Sequence, residues 1–527
     1  MRSLLVLLLL PAAALFAQND RGTITGTVSD PAGAVVANGA IEARNLENGA
    51  TYQTASSETG NYTLAQLPVG NYELSVTVSG FKRYVRTGLA VQVAQTMRID
   101  VSLEVGSAAE SVTVTDAAPL LKTESGELSH TIAGAKLADL PILGTGAQNA
   151  STWGMRNAYS FTQLLPGTLF NSNTNIRVNG AVSNTQTIAI EGQDATDRFL
   201  PYSTVMTQPS ADAIQEVAVQ TSNFAAEFGQ VGGGYFNMTM KSGTNQFHGT
   251  AYNYYANEAF NASQPYTNLK EVTRRNNFGF ALGGPLVIPK IYDGRNKTFF
   301  YYNLEYFRQN QVFNTVAQTV PTDLYRLGNF SQAMTAANNR VLATDPLSRS
   351  IIENMIYDPL TERAAPNGAI VRDPFLGNII PAARLDPVAA KVQALIPRAT
   401  SPALINNIVP VFSGPTRTNF PSIKGDQQIG QSMKLSVYWT ESANVRPYSP
   451  GTGNADGLPD TITAARGNFI GSHTERVNFE ASLSPTLLLH LGAGYQHLDF
   501  QDRSPTLNYD SFKELGLRGQ TMVRNFP

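Results

Sequence analysis

Five histidines and no cysteine are all that this 527-residue chain offers to imidazole or thiol chemistry. Without cysteine there is no thiolate zinc site, no cysteine nucleophile and no disulfide scaffold. His130, His248, His473, His490 and His497 are scattered, and HExxH, which sets two imidazoles on one helix face, does not occur. His473-Thr474-Glu475 has the H-x-E spacing of a zinc deaminase but lacks the P-C-x-x-C that completes its ligand set. No GxSxG marks a nucleophile elbow. The glycines in AEFGQVGGGYFNMTMKSGTNQFHG (226–249) raise the question of a phosphate cradle. A cradle needs a helix N-terminus behind the glycines, where free N–H groups and the helix dipole hold the anion. Here Tyr235 to Met240 follows and alternates with period two, as a strand does. The expectation is a protein with no catalytic residue, no resident metal and no cofactor.

The elements around these residues are those of an exported β protein. Arg2, the apolar run Leu4 to Leu10 and the small-residue stretch Ala12 to Ala17 have the three-part organisation of a secretory signal peptide over residues 1–17. That apolar core is too short for a bilayer, which takes about 20 residues. No later stretch approaches 18 apolar residues. Charged residues make up 15%, well under the usual ~25% of soluble domains. A net charge of −2 gives no electrostatic case for nucleic acid.

Residues 20–105 read as short strands, RGTITGTVSD, GAIEARN, NYTLAQL, NYELSVTV, LAVQV and MRIDVSLEV, separated by turns such as Asp30-Pro31-Ala32-Gly33 and Pro68-Val69-Gly70-Asn71. Strands of this length and spacing make a β-sandwich. Tyr52, Tyr62, Tyr72 and Tyr84 would either stack a ligand or pack the core, and packing is favoured. Residues 106–118 read as a linker carrying Glu110-Ser111-Val112-Thr113-Val114-Thr115, an extended hexad suited to adding to another sheet's edge, or else the sandwich's last strand. Residues 119–243 are mixed, with helices expected at 135–140 and 159–165, a polar loop at 144–157, and strands at 175–178, 187–191, 215–221 and 235–240. From Gln246 to residue 527, runs of about ten residues alternate apolar and polar or small. Phe300, Tyr302, Leu304 and Tyr306 oppose Asn303 and Glu305, and Met433, Leu435, Val437 and Trp439 oppose Lys434, Ser436 and Tyr438. Such runs mark a transmembrane β-barrel, with 308–430 expected as an extracellular loop.

The segment GNYTLAQLPVGNYELSVTVSGFK resembles the carboxypeptidase regulatory-like domain, a transthyretin-like sandwich of a carbohydrate-binding-like superfamily. Further stretches are IRVNG (176–180), AIEGQDA (189–195), ADAIQEVAVQTSNFAAEFGQVGGGYFNMTMKSGTNQFHG (211–249) and FGFALGGPL (278–286). They continue with KTFFYYNLEYFR (297–308), VPTDLYRLGNFS (320–331), IYDP (356–359) and NIIPAARLDPVA (378–389). Together they resemble the Oar-like TonB-dependent outer-membrane transporters. The resemblance implies sandwich, mixed α/β plug, then antiparallel barrel, in the outer membrane. It implies that Glu110–Thr115 is the TonB box, which pairs with a TonB-type energy-coupling complex. It implies that Lys241, Ser242, Gly243, Thr244 and Asn245 are the plug–barrel hinge, the glycines serving geometry. Substrates in the family are small molecules, glycans or peptides, and nothing in the sequence selects among them. A family barrel has roughly 22 strands, of which 246–527 supplies about half. A partial barrel and a C-terminally truncated member are therefore the expectation. The competing reading is a surface adhesin or carbohydrate-binding envelope protein.

Overall fold

The structure is a computed structural model that describes residues 21–518, apart from 116–123, 137–164, 198–207, 264–269, 448–455 and interruptions of one to four residues. The signal peptide, nearly all of the helices expected at 135–140 and 159–165, and the polar loop lie outside the described residues. What is described is mainly β, and it divides into two compact units.

The first unit begins with a sandwich. Its strands are β1 (Gly22–Ser29), β2 (Ala40–Asn45), β3 (Thr51–Ala55), β4 (Asn61–Leu67), β5 (Gly70–Thr77), β6 (Arg83–Val91), β7 (Thr96–Arg98), β8 (Val101–Ser102) and β9 (Ser111–Val114). One sheet has the order β4-β1-β7 with β8 also on β1, the other β3-β2-β5-β6-β9. Every second residue of β1 points inward, so Ile24 and Val28 join Ile41, Leu64, Leu74 and Val76 in a closed apolar core. The turn signals work through side-chain oxygens: Asp30 accepts from the N–H groups of Ala32 and Ala34, and Asn45 from those of Glu47 and Asn48.

β3 (TYQTA) has no apolar alternation and is not among the strands read in the sequence, yet it pairs with β2 along five residues. The hexad read inside a linker contains β9, which pairs in parallel with β6. Val114 packs against the sandwich core, which is why this stretch is ordered against the sheet. Cutting a sandwich fragment at 105 rather than 114 removes that contact. Both fragments should be soluble and all-β, the shorter less stable by about 1 kcal/mol for a half-buried valine. Equal urea midpoints would show that β9 adds nothing.

The stretch expected as the plug, called so below, has a sheet of order β10-β15-β16-β13-β14, built from β10 (Leu128–Ala133), β13 (Thr187–Ile190), β14 (Gln193–Asp194), β15 (Ile214–Ser222) and β16 (Tyr235–Met240). A separate hairpin pairs β11 (Thr168–Ser172) with β12 (Asn175–Val178). β13 and β16 are parallel and buried on both faces, which matches their lack of polar alternation in TIAI and YFNMTM. Gly234 has φ +99°, a value L side chains rarely adopt, and its carbonyl accepts from Thr187 N–H.

After the plug comes a seven-stranded wall, ordered β17-β18-β21-β26-β27-β28-β29. Its strands are β17 (His248–Ala256), β18 (Thr273–Pro285), β21 (Thr298–Asn314), β26 (Val411–Ile429), β27 (Met433–Arg446), β28 (Gly467–Ser484) and β29 (Leu487–Arg503). A short hairpin, β19 (Val287–Ile288) and β20 (Tyr292–Asp293), intervenes. The wall is open, with β17 and β29 as its edges among the described residues. The expected alternation is present: Asn303, Glu305, Ser436 and Thr440 are buried on the inner face, while Phe278, Phe280, Leu282 and Val437 are exposed on the other. Cross-strand rings pair on that outer face, Phe278 with Tyr306 and Phe280 with Tyr302, at 5.3 and 5.7 Å.

The loop expected over 308–430 is shorter than that, because β21 runs to Asn314 and β26 begins at Val411. Arg417, Asn419, Pro421 and Gln427 occupy the outward row of β26, so no apolar face advertises it. The second unit, which holds most of this stretch, carries hairpins β22 (Val341–Thr344) with β23 (Ser350–Ile352) and β24 (Tyr357–Ala364) with β25 (Ile370–Pro374). It also carries the helix Pro387–Leu395, capped by Asp386. Three of the quoted motifs meet here. Asn378 accepts from Ile356 N–H and donates to the Phe330 and Asn354 carbonyls, and Arg384 grips Asp358 through two bonds of 2.9 and 2.7 Å. Arg326 donates to the Gln393, Ile396 and Pro397 carbonyls at the end of the helix. Hydrogen bonds from Arg363 and Arg349 hold Asp373 well below the usual carboxylate range.

Candidate functional site

The residues expected to do work fall at three places in the first unit. The earliest is the hexad. Arg83 N–H donates to the Glu110 carbonyl at 2.8 Å, and from there Ser111 to Val114 run alongside Arg83 to Arg86. Ser111 and Thr113 are exposed, whereas Val112 and Val114 are half-buried. Lys82 lies 3.4 Å from Glu104 and 3.5 Å from Glu110. The bond to Glu104, with the charge of Glu110 behind it, holds its ammonium above the usual range. Thr115 follows, exposed.

Next comes the stretch expected as the hinge. Lys241 N–H donates to the Ala213 carbonyl, so the connection leaves the plug still bonded to it. Gly243 passes against the wall, where a Cβ would stand 2.3 Å from the Phe300 carbonyl oxygen and 2.6 Å from that of Gly284. Only glycine fits so near another backbone. The triple glycine at 232–234 instead approaches Thr185 and Val178 of the plug, so the close pass to the wall belongs to Gly243. Asn245 then bonds outward, donating to Asn296 Oδ1 at 2.8 Å and accepting from Asn296 N–H at 2.7 Å. Lys241, Ser242, Gly243 and Thr244 line a cavity of about 450 Å³ shared by sandwich, plug and wall, with Arg21, Glu47, Glu191, Lys424 and Lys434 among its other residues.

The third place is a pair of buried anchors between plug and wall. Glu191, in the turn after β13 at φ +52°, makes a 2.8 Å ion pair with Lys424 of β26 and accepts from Met240 N–H at 2.6 Å. Lys424 also donates to the Met240 carbonyl at 3.0 Å, and Asn478 of β28 donates to the Glu191 carbonyl at 3.3 Å. Both charges are nearly sealed, Glu191 at 1% and Lys424 at 7% exposure. Glu305 of β21 is the other anchor, accepting from Asn277 at 2.7 Å, Tyr252 at 2.8 Å and the plug's Ser210. Smaller bonds tie the sandwich in. Glu216 accepts from Val93 N–H, Arg21 pairs with Glu480 of β28, and Asn245 N–H donates to the Glu47 carbonyl.

Sequence reasoning placed Glu191 in a motif and Glu305 on a polar face, and it missed Lys424, which sat inside a supposed loop. The signal available for Lys424 was the polar row Ser422, Lys424, Asp426 at alternate positions. The sandwich tyrosines are structural. Tyr62 and Tyr72 are buried and donate to the Ile99 and Pro68 carbonyls, and burial pushes the Tyr72 phenol well above its ordinary range. Tyr84 is buried too, and Tyr52 packs half-buried against the same core. Among the described residues no group of three or more His, Asp or Glu side chains is placed to hold a metal ion.

The wall thus has an outward apolar face and a polar inner face to which the segment before it is bonded. The chain belongs to the outer membrane beta barrel domain family, matched over residues 239–527. Residues 23–104 match the carboxypeptidase regulatory-like domain. The chain is similar to the TonB-dependent transporter Oar of Myxococcus xanthus, at 28% identity over 298 residues, 54% of this chain and 27% of that protein. It therefore spans about a quarter of the length of that relative. Among solved structures it is similar to the outer membrane transporter YddB from Escherichia coli, with TM-score 0.40 and 11% identity, over 72% of this chain and 40% of that one. It is also similar to the siderophore receptor PirA from Acinetobacter baumannii, with TM-score 0.31 and 14% identity, over 73% and 50%. These relatives are transporters and receptors, not enzymes.

Proposed function

We propose that the chain forms the sandwich, plug and first wall strands of a TonB-dependent transporter that takes up a substrate from outside the cell. The observation that carries this reading is the plug seated on the wall's polar face and joined to β17 by the short connection at 241–245. Energy enters through residues 110–115, which a TonB-type complex draws into its own sheet, and the pull rearranges the plug. Substrate meets the protein from the loop side. The sandwich sits upstream of the coupling peptide, with three of its four tyrosines buried.

The test is coupling itself. Proline at Val112 removes a backbone N–H from a strand that must pair with a partner. Val112→Pro should abolish energy-dependent uptake in cells carrying the transporter while substrate binding persists. Unchanged uptake would place the coupling peptide elsewhere. Extraction of the protein from membranes by carbonate would favour a peripheral adhesin instead.

A further inference from the structure

We propose that the sandwich acts as a latch on the coupling peptide: Ser111–Val114 are held as its outermost strand, and must leave β6 before the energy-coupling partner can take them. This rests on the assignment of residues 110–115 as the coupling peptide. The sheet order ends on β9, so one edge of the strand is bonded to β6 and one is open. The bonded side is more than a backbone ladder. Val114 packs against the sandwich core, Glu110 is fixed by the Arg83 N–H, and Lys82 faces both Glu104 and Glu110. A docked strand thus shows a partner its outer backbone edge and the side chains of Ser111 and Thr113, and withholds the valines. Yet the valines are the residues through which an extended peptide grips a second sheet.

The hold is also short enough to break. Four residues pair, in parallel, at an edge, and the ionic contacts that fix the start of the strand are exposed and screened by salt. The released peptide is therefore a minor state in the resting protein, and the partner's apparent affinity is reduced by its population. Whatever loosens the sandwich edge raises that affinity without touching the peptide.

The chain has no cysteine, so an engineered pair is free of competing thiols. Val85 and Thr113 are register partners, Thr113 exposed and Val85 half-buried, and adjacent strands fall within disulfide reach. In the Val85→Cys/Thr113→Cys chain, oxidation should weaken binding of the purified periplasmic domain of the host's TonB-type protein by about tenfold or more, and reduction should restore it. Lys82→Glu should bind the same probe more tightly than the unaltered chain, because it repels Glu110. Hydrogen exchange at 111–114 should quicken in Lys82→Glu and stay slow in the oxidised pair. Equal binding by oxidised and reduced protein would overturn the latch and show that the partner adds to the open edge of the docked strand. A free peptide of residues 108–118 separates the two readings. If it binds the probe and the lock is silent, only the latch fails. If it does not bind, the coupling-peptide assignment falls and takes the latch with it.

Discussion

Lys424→Ala should destabilise the seated plug by about 3–5 kcal/mol, the usual cost of stranding one partner of a buried ion pair. The ammonium makes a 2.8 Å pair with Glu191 and a 3.0 Å bond to the Met240 carbonyl, with both side chains of the pair under 10% exposed. Glu191→Ala should cost at least as much, since it also orphans the Met240 N–H, which donates to that carboxylate at 2.6 Å. Removing both charges, as Glu191→Gln with Lys424→Met, should recover part of either loss, because no unpaired charge is left inside. Hydrogen exchange of the β13 and β16 amides reads the plug's opening free energy directly. A Lys424→Ala protein within about 0.5 kcal/mol of the unaltered chain would mean that the pair is solvated and is no anchor.

Gly243→Ala should be strongly destabilising. Its Cβ would fall 2.3 Å from one carbonyl oxygen and 2.6 Å from another, and both belong to backbone of the wall strands. Flexible side chains can swing aside from an added methyl, but a sheet ladder cannot. The connection would have to lift away from Phe300, carrying Lys241 N–H off the Ala213 carbonyl. Overpacking of this kind costs about 3 kcal/mol. Ser242→Ala beside it is the control, with little change expected. The comparison is made on the thermal transition of the purified chain, where equal midpoints for the two variants would show that the hinge has room to spare.

Strands with a clean alternation were legible in the sequence. Phe300 to Tyr306 and Met433 to Trp439 announce a face in lipid, and GTITGTVS announces a sandwich core. β26 was not legible, because its outward row holds Arg417, Asn419 and two prolines where lipid-facing residues were sought. β9 carried an ambiguous signal. An alternating valine pair reads the same whether it joins its own sheet or another's, and only the Val114 contact decides. Motif resemblance singled out 241–245, although periodicity alone would not have shown that Gly243 rather than the triple glycine meets the wall. The anchors were out of reach for a different reason. Glu191 and Lys424 are 233 positions apart, and nothing local in either segment names its partner.

The polar inner face of the wall has a mechanical consequence. Ser, Thr and Asn dominate the buried polar residues of β26, β27 and β28, whose hydrogen bonds water can replace one at a time, while Ala281, Tyr301, Tyr438 and Ile470 add an apolar part to the plug's seat. Each such exchange changes the free energy by only about 0.5–1.5 kcal/mol, since a bond to water takes the place of the one given up. An oily seat would have to peel away all at once and would expose apolar surface as it did so. This one is mixed. On the proposed pulling mechanism the polar part would let the plug shift in small steps, and the ion pair at Glu191 and the carboxylate at Glu305 would be the two detents that set where it rests.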